Sequence, residues 1–235
     1  MQSNLEIEQM IDHWELTVLD NLAKASPPAH EVAYQKLREH ILFGDFLPGQ
    51  AITIQGLTTT LDAGMTPVRE ALRRLISEGA LVFQGNRRVS VPVLTPENVN
   101  ELLFGRQAIE PQLIIMATQN ATPDDLDRAE TIDTLLDQAI ARNDVKGYLQ
   151  KNYEFHSLLY NLANAPILAS LADTMYLRFG PSLRVICGRM GTQSLPDLHK
   201  ACLSAMRAGD AHAAANAIKQ DVVTGMEQMK RNLAD

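Results

Sequence analysis

Five arginines fall within residues 65–90, Arg69, Arg73, Arg74, Arg87 and Arg88, against only Glu70 and Glu78. A guanidinium offers a planar fork of donors that holds the O6/N7 edge of a guanine or grips two phosphate oxygens, so the cluster suits nucleic acid. The whole chain argues against this, because its formal net charge is −7. Divided along the chain, however, residues 1–29 carry −4, residues 30–93 carry +1 and residues 94–235 carry −4. The basic surface is local, on an otherwise acidic molecule. Two cysteines, Cys187 and Cys202, lie in apolar helical stretches and fit neither a disulfide framework nor a Cys-x-x-Cys metal site, so buried thiols are expected.

The arginines need a scaffold, and the apolar spacing supplies one. In residues 66–78 the apolar positions Val68, Ala71, Leu72, Leu75 and Ile76 recur at i, i+3, i+4, i+7 and i+8, while Arg69, Glu70, Arg73, Arg74 and Ser77 fall opposite. Thr66 is expected to cap this helix, with Pro67 at its first position. Ahead of it lie a helix over 30–43 and a short helix IQGLTTTLD capped by Thr53. Behind it, Gly79 leads to LVFQ and RRVSVPV, two strands joined by a Gly85-Asn86 turn. Helix, short helix, helix and hairpin make a winged helix-turn-helix over residues 30–94. Residues 5–24 show Ile7, Ile11, Trp14, Val18 and Leu22 at helical steps, an extra amphipathic helix closed by the SPP linker, so residues 1–29 form a separate N-terminal piece.

After Pro96 the pattern is nearly continuous helix to residue 232, with breaks expected at Thr122-Pro123, Asn143-Asp144, Ala165-Pro166, Gly180-Pro181, residues 191–196 and Gly209-Asp210. The fold class is therefore mainly α: an N-terminal winged helix-turn-helix followed by an all-α bundle over 96–232. With 46% apolar and 21% charged residues the chain can bury a core. No window approaches eighteen uncharged apolar residues, and the acidic start differs from a basic, then greasy, secretory signal. A soluble, cytoplasmic protein with no membrane partner is expected.

The segments PGQAIT, TPVREALRRLISEGAL and NRRVSVP resemble the DNA-binding half of the GntR family of bacterial transcription factors. RQAIEPQLIIMAT, NYEFHSLLYNLANAPIL and LHKACLSAMRAGDAHAAANAIKQD resemble the FCD ligand-binding domain of its FadR-like branch, so the similarity spans about residues 30–232. The resemblance implies a ligand-responsive regulator and not an enzyme: a repressor that binds double-stranded, palindromic operator DNA as a homodimer and is released by a small carboxylate effector. A recognition helix enters the major groove N-terminus first, which places Thr66, Arg69 and Arg73 nearest the bases with Arg74 on the same polar side, and Arg87 and Arg88 at the wing. Many family members carry Arg two positions before the Pro of TPVREAL. Met65 stands there in this chain, which implies an operator different from the family's commoner sites.

The FCD fold usually holds a divalent metal on Asp, His, His and His. Matching positions here are Asn152, His156, His199 and Asp221, so the first is Asn for Asp and the last Asp for His. Spacing agrees with convergence: Asn152 and His156 share a helical face. His199 and Asp221 each lie eleven residues from Asp210 at a helical bend, about 16 Å along either arm. Two histidines, one carboxylate and a weak amide oxygen suit Zn, Ni or Mn; the other reading is that these groups bond the ligand directly. Arg106 resembles the arginine that faces this pocket, with an i,i+4 pair to Glu110 as its alternative, and Arg184 is a second candidate for the effector. Two further classes stay open at this point: a metal-dependent hydrolase using His156 and His199, and a constitutive DNA-binding protein with a vestigial pocket.

Overall fold

The computed structural model describes residues 27–85, 88–190 and 198–233. The N-terminal amphipathic stretch, Asn86 and Arg87 lie outside these residues. The winged helix-turn-helix begins with α1 (Ala29–Leu42), followed by β1 (Ala51–Thr53), α2 (Ile54–Leu61), α3 (Met65–Ser77), β2 (Val82–Phe83) and β3 (Arg88–Ser90). The strands form one antiparallel sheet in the order β1-β3-β2, with Ile52 opposite Val89 and Val82 opposite Ser90. β1 was not foreseen, being only three residues long. Its alternation is complete nonetheless: Ile52 is buried between exposed Ala51 and Thr53.

Helix ends follow local chemistry. Thr53 Oγ1 accepts from the Gly56 amide at 3.0 Å and starts α2, which Asp62 ends in the left-handed region at φ 47°. The expected cap at Thr66 is not formed. Gly64 occupies the N-cap with extended backbone, its carbonyl accepts from the Val68 amide at 3.2 Å, and α3 starts at Met65. Thr66 therefore falls inside the first turn, exposed, and Pro67 sits at the third position. No amide of a first turn has an intrahelical partner, so the proline fits there too.

The bundle comprises α4 (Pro96–Asn120), α5 (Pro123–Ala141), α6 (Val145–Leu162), α7 (Pro166–Met190), α8 (His199–Arg207) and α9 (Ala211–Leu233). Thr95 with Asn98, and Thr122 with Asp125, each form a reciprocal capping box ahead of a proline at the first helical position. Among the described residues no helix is long and apolar enough to cross a membrane.

The break expected at Gly180-Pro181 is absent: α7 runs through both residues. The reason is tertiary. A Cβ on Gly180 would lie 2.9 Å from the Leu42 carbonyl oxygen, so the glycine marks where α1 crosses α7 rather than where α7 stops. Further contacts tie the winged domain to the bundle along the same helix. Arg38, only 8% exposed, donates from Nη2 to Asp173 at 2.5 Å and to the Tyr153 hydroxyl at 2.9 Å, and that hydroxyl donates to Asp173 at 2.7 Å. Arg178 Nε donates to the Glu78 carbonyl at 3.0 Å, and the Arg184 stem packs on Gly44. Lys146 on α6 adds an ion pair to Asp45 at 3.1 Å.

Two outcomes follow. Gly180→Ala should force α1 and α7 apart at a backbone carbonyl and cost about 1–3 kcal/mol, read as a lower thermal unfolding midpoint; an unchanged midpoint would remove the crossing from the list of tight contacts. Cys187 and Cys202 are buried, and burial pushes both thiols up to about 12. Iodoacetamide near pH 8 should therefore leave both unlabelled in the folded protein and label both in denaturant, scored by mass spectrometry.

Candidate functional site

The outward face of α3 does not offer its arginines equally. Arg69 is exposed and forms no ion pair with the described residues. Arg73 is exposed but donates to Glu70 at 2.6 Å, a surface pair that an incoming phosphate can outbid. Arg74 is occupied: it pairs with Glu31 at 3.0 Å and Glu78 at 3.1 Å, and its guanidinium lies 3.6 Å from the Tyr34 ring centroid. It braces α3 against α1 while its side chain stays half exposed. The signal was there in the spacing, since Arg74 sits i−4 to Glu78. Arg88 is exposed at the start of β3; Arg87 falls outside the described residues.

A second site lies inside the bundle. α4 carries a buried stripe of Val99, Leu102, Arg106, Glu110, Leu113 and Ala117, so two charges stand on an apolar face. Arg106 pairs with Glu110 through Nε and again from Nη2 to Oε2 at 3.2 Å. Its guanidinium lies 4.3 Å from the Phe179 centroid. The intrahelical pair weighed for Arg106 is thus formed, and the arginine still lines a small cavity of about 40 Å³ together with Tyr148, Asn152, His156, Phe179, Leu183 and Asp221. Arg184 does not: its stem packs on Gly44 of the winged domain, away from the cavity.

His156, on α6, is 1% exposed, with Nε2 3.6 Å from Asp221 Oδ2 and Nδ1 4.0 Å from Glu110 Oε2. Burial, with His199 and Arg106 nearby, holds its imidazole well below the usual histidine range, so it is neutral with a lone pair to offer. His199 opens α8, stacks on Phe155 at 3.9 Å and has Nδ1 3.0 Å from Asp133 Oδ1. A carboxylate on Nδ1 fixes the tautomer that presents Nε2 as a ligand, a common support for metal-bound histidine. Burial raises the Asp221 carboxyl, whose Oδ1 accepts from the Leu198 amide at 3.2 Å.

One ligand atom each from His156, His199 and Asp221 lie within 4.8 Å of one another. Ligands around a tetrahedral ion sit about 3.4 Å apart, so small side-chain rotations bring these three into range. Asn152 stands beside them and donates from Nδ2 to the Tyr176 hydroxyl at 2.6 Å, which leaves an amide oxygen as its ligand-type atom. The residues present fit a divalent ion, as two imidazoles, one carboxylate and at most a weak fourth donor. Sequence reasoning missed Asp133 and Glu110 as parts of this site. Asp133 lies on the α5 stripe of Ala129, Ile132 and Leu136, and an acid on an apolar stripe is the available signal.

Comparison with known proteins agrees with this geometry. Residues 29–91 match the model for bacterial regulatory proteins of the gntR family, and residues 101–223 match the FCD domain. The chain is similar to the HTH-type transcriptional regulator McbR of Escherichia coli K12, 27% identical over 202 residues that cover 83% of this chain and 91% of that protein. It superposes on the E. coli McbR/YncC structure with a TM-score of 0.82 at 23% identity, covering 88% and 99% of the two chains. A GntR regulator from Rhodococcus sp. RHA1 superposes with a TM-score of 0.70 at 25% identity, covering 86% and 96%. A winged helix-turn-helix, an all-helical bundle with a polar hollow, and both family matches in their expected order lead to one conclusion: this chain belongs to the GntR family of bacterial regulatory proteins, in the branch that carries an FCD domain.

Proposed function

We propose that the protein is a cytoplasmic repressor that binds a palindromic operator as a homodimer and leaves it when a small carboxylate enters the bundle cavity beside a divalent ion. Residues 30–94 hold the DNA and residues 96–232 sense the effector. The observation that carries this reading is the placement of the cavity. Phe179 and Leu183 of α7 line it and Tyr176 bonds Asn152 in its wall, while Asp173, Gly180 and Arg184 of the same helix meet the winged domain. At about 40 Å³ the cavity admits an ion and a water or two. An organic acid has to widen it, and the wall at Gly225, Met226 and Met229 is soft enough to yield. Widening displaces α7, and with it the seat of α1.

The ion supplies positive charge for the effector's carboxylate, which Arg106 alone does not, since Glu110 already neutralises it. His156, His199 and Asp221 would hold the ion, with Asn152 as a weak fourth ligand. Zn, Ni and Mn all accept such donors. We read the chain as a regulator rather than a hydrolase, because its relatives are regulators and a winged domain has no part in hydrolysis.

Arg69→Ala should cost about 1–3 kcal/mol of operator affinity in a gel shift. Arg74→Ala should spare affinity and lower thermal stability, because its partners lie within the domain. Arg88→Ala should weaken binding to all duplexes alike if it holds phosphate. Protein purified without chelator should carry one divalent ion per chain by elemental analysis. His156→Ala should lose the ion and the effector's action while binding the operator as before; a response that survives both His156→Ala and His199→Ala would sink the metal site. Sedimentation at micromolar concentration should give a dimer, free and on DNA, and a monomer in both states would contradict the symmetric operator.

A further inference from the structure

We infer that Met65 reads a base: its side chain packs on the 5-methyl group of a thymine in each operator half-site. The inference rests on α3 being the helix that enters the groove. α3 begins at Met65, behind an uncapped Gly64, so Met65 is the leading residue of the end that reaches the bases first. Within the first turn and a half, Val68 is buried and Pro67 half-buried, which leaves Met65, Thr66, Arg69 and Glu70 facing out, with Glu70 paired to Arg73. Met65 and Arg69 are one turn apart on the same face. With Arg74 paired to Glu31 and Glu78 beside Tyr34, and Arg73 to Glu70, the leading end offers one guanidinium that forms no ion pair among the described residues, one hydroxyl and one thioether.

Met65 is 52% exposed, a large apolar side chain standing in water on the face where the domain meets its ligand. The major groove presents one apolar feature, the thymine methyl, and everything else on the base edges is a donor or an acceptor. An unbranched thioether with three rotatable bonds conforms to that methyl without demanding one geometry. Arg69, a turn further along, then meets the neighbouring base pair or its phosphate.

The test uses the full-length protein and duplexes recovered from a random pool by repeated binding. Each thymine of the recovered site is replaced in turn by deoxyuridine, which removes the methyl and changes nothing else, and affinity is measured for the wild type, Met65→Ser and Met65→Leu. One thymine per half-site should stand out. Uracil there should cost the wild type about fourfold, the worth of one methyl taken out of water, and should cost Met65→Ser nothing measurable. Met65→Leu should keep the sensitivity, and all three proteins should melt alike, since the side chain is exposed. If uracil costs the wild type and Met65→Ser equally at every thymine, Met65 faces no methyl and the inference falls while the DNA-binding reading stands. If Met65→Ser weakens all duplexes equally, with or without thymine, the residue is structural and the inference falls again. If no sequence is enriched and Arg69→Ala binds as the wild type does, α3 is not the reading helix and both fall together.

Discussion

A guanidinium and a carboxylate buried side by side in an all-helical bundle constrain everything around them. Arg106 and Glu110 are 5% and 0% exposed, and removing either alone would leave an uncompensated charge at a cost of about 3–5 kcal/mol. The pair is held twice over, by its own hydrogen bonds and by Phe179 stacked against the guanidinium. Because apolar side chains cannot fill the space around two charges without stranding them, polar groups gather there: the Tyr160 hydroxyl 3.4 Å from His156 Nδ1, Asn152 on Tyr176, and Asp221 on the Leu198 amide. The hollow in the bundle opens beside that pair, and His156 is kept neutral by the same burial.

α7 converts this local chemistry into architecture. Its cavity side and its winged-domain side are offset by about a quarter turn, so Phe179 and Asp173 work on different neighbours while sharing one backbone. Tyr153 closes the loop from α6. It follows Asn152 in sequence, meets the Tyr176 ring edge-on at 5.1 Å and bonds both Asp173 and Arg38. The polar contacts inside the bundle and those at its boundary are thus one residue apart on α6 and three apart on α7.

The recognition helix, the wing and the two-part organisation were legible in the residues because each is a local pattern: a 3.6-residue period, a glycine turn, a change to unbroken helix. The candidate ligands were legible only through resemblance, since no local rule links Asn152 to Asp221. Two readings missed for a shared reason. Gly180-Pro181 looked like a stop and Thr66 like a cap, and each was decided by another residue's backbone: the Leu42 carbonyl and the extended Gly64. Propensity describes what a residue can do, and packing selects among the options.

The acid partners of the α3 arginines have a bearing on how such a protein would search a genome. Attraction to DNA of any sequence scales with the number of phosphates that Lys and Arg neutralise, through the counterions released. Here Glu70 holds Arg73 and Glu31 with Glu78 hold Arg74, on a molecule whose net charge is −7. Among the described residues of α3, less positive charge is left to grip an arbitrary stretch of duplex than its three arginines suggest. The protein would dwell briefly on wrong sequences, lose few copies to the vast excess of them, and owe its occupancy of the right one to the fit of a small number of side chains.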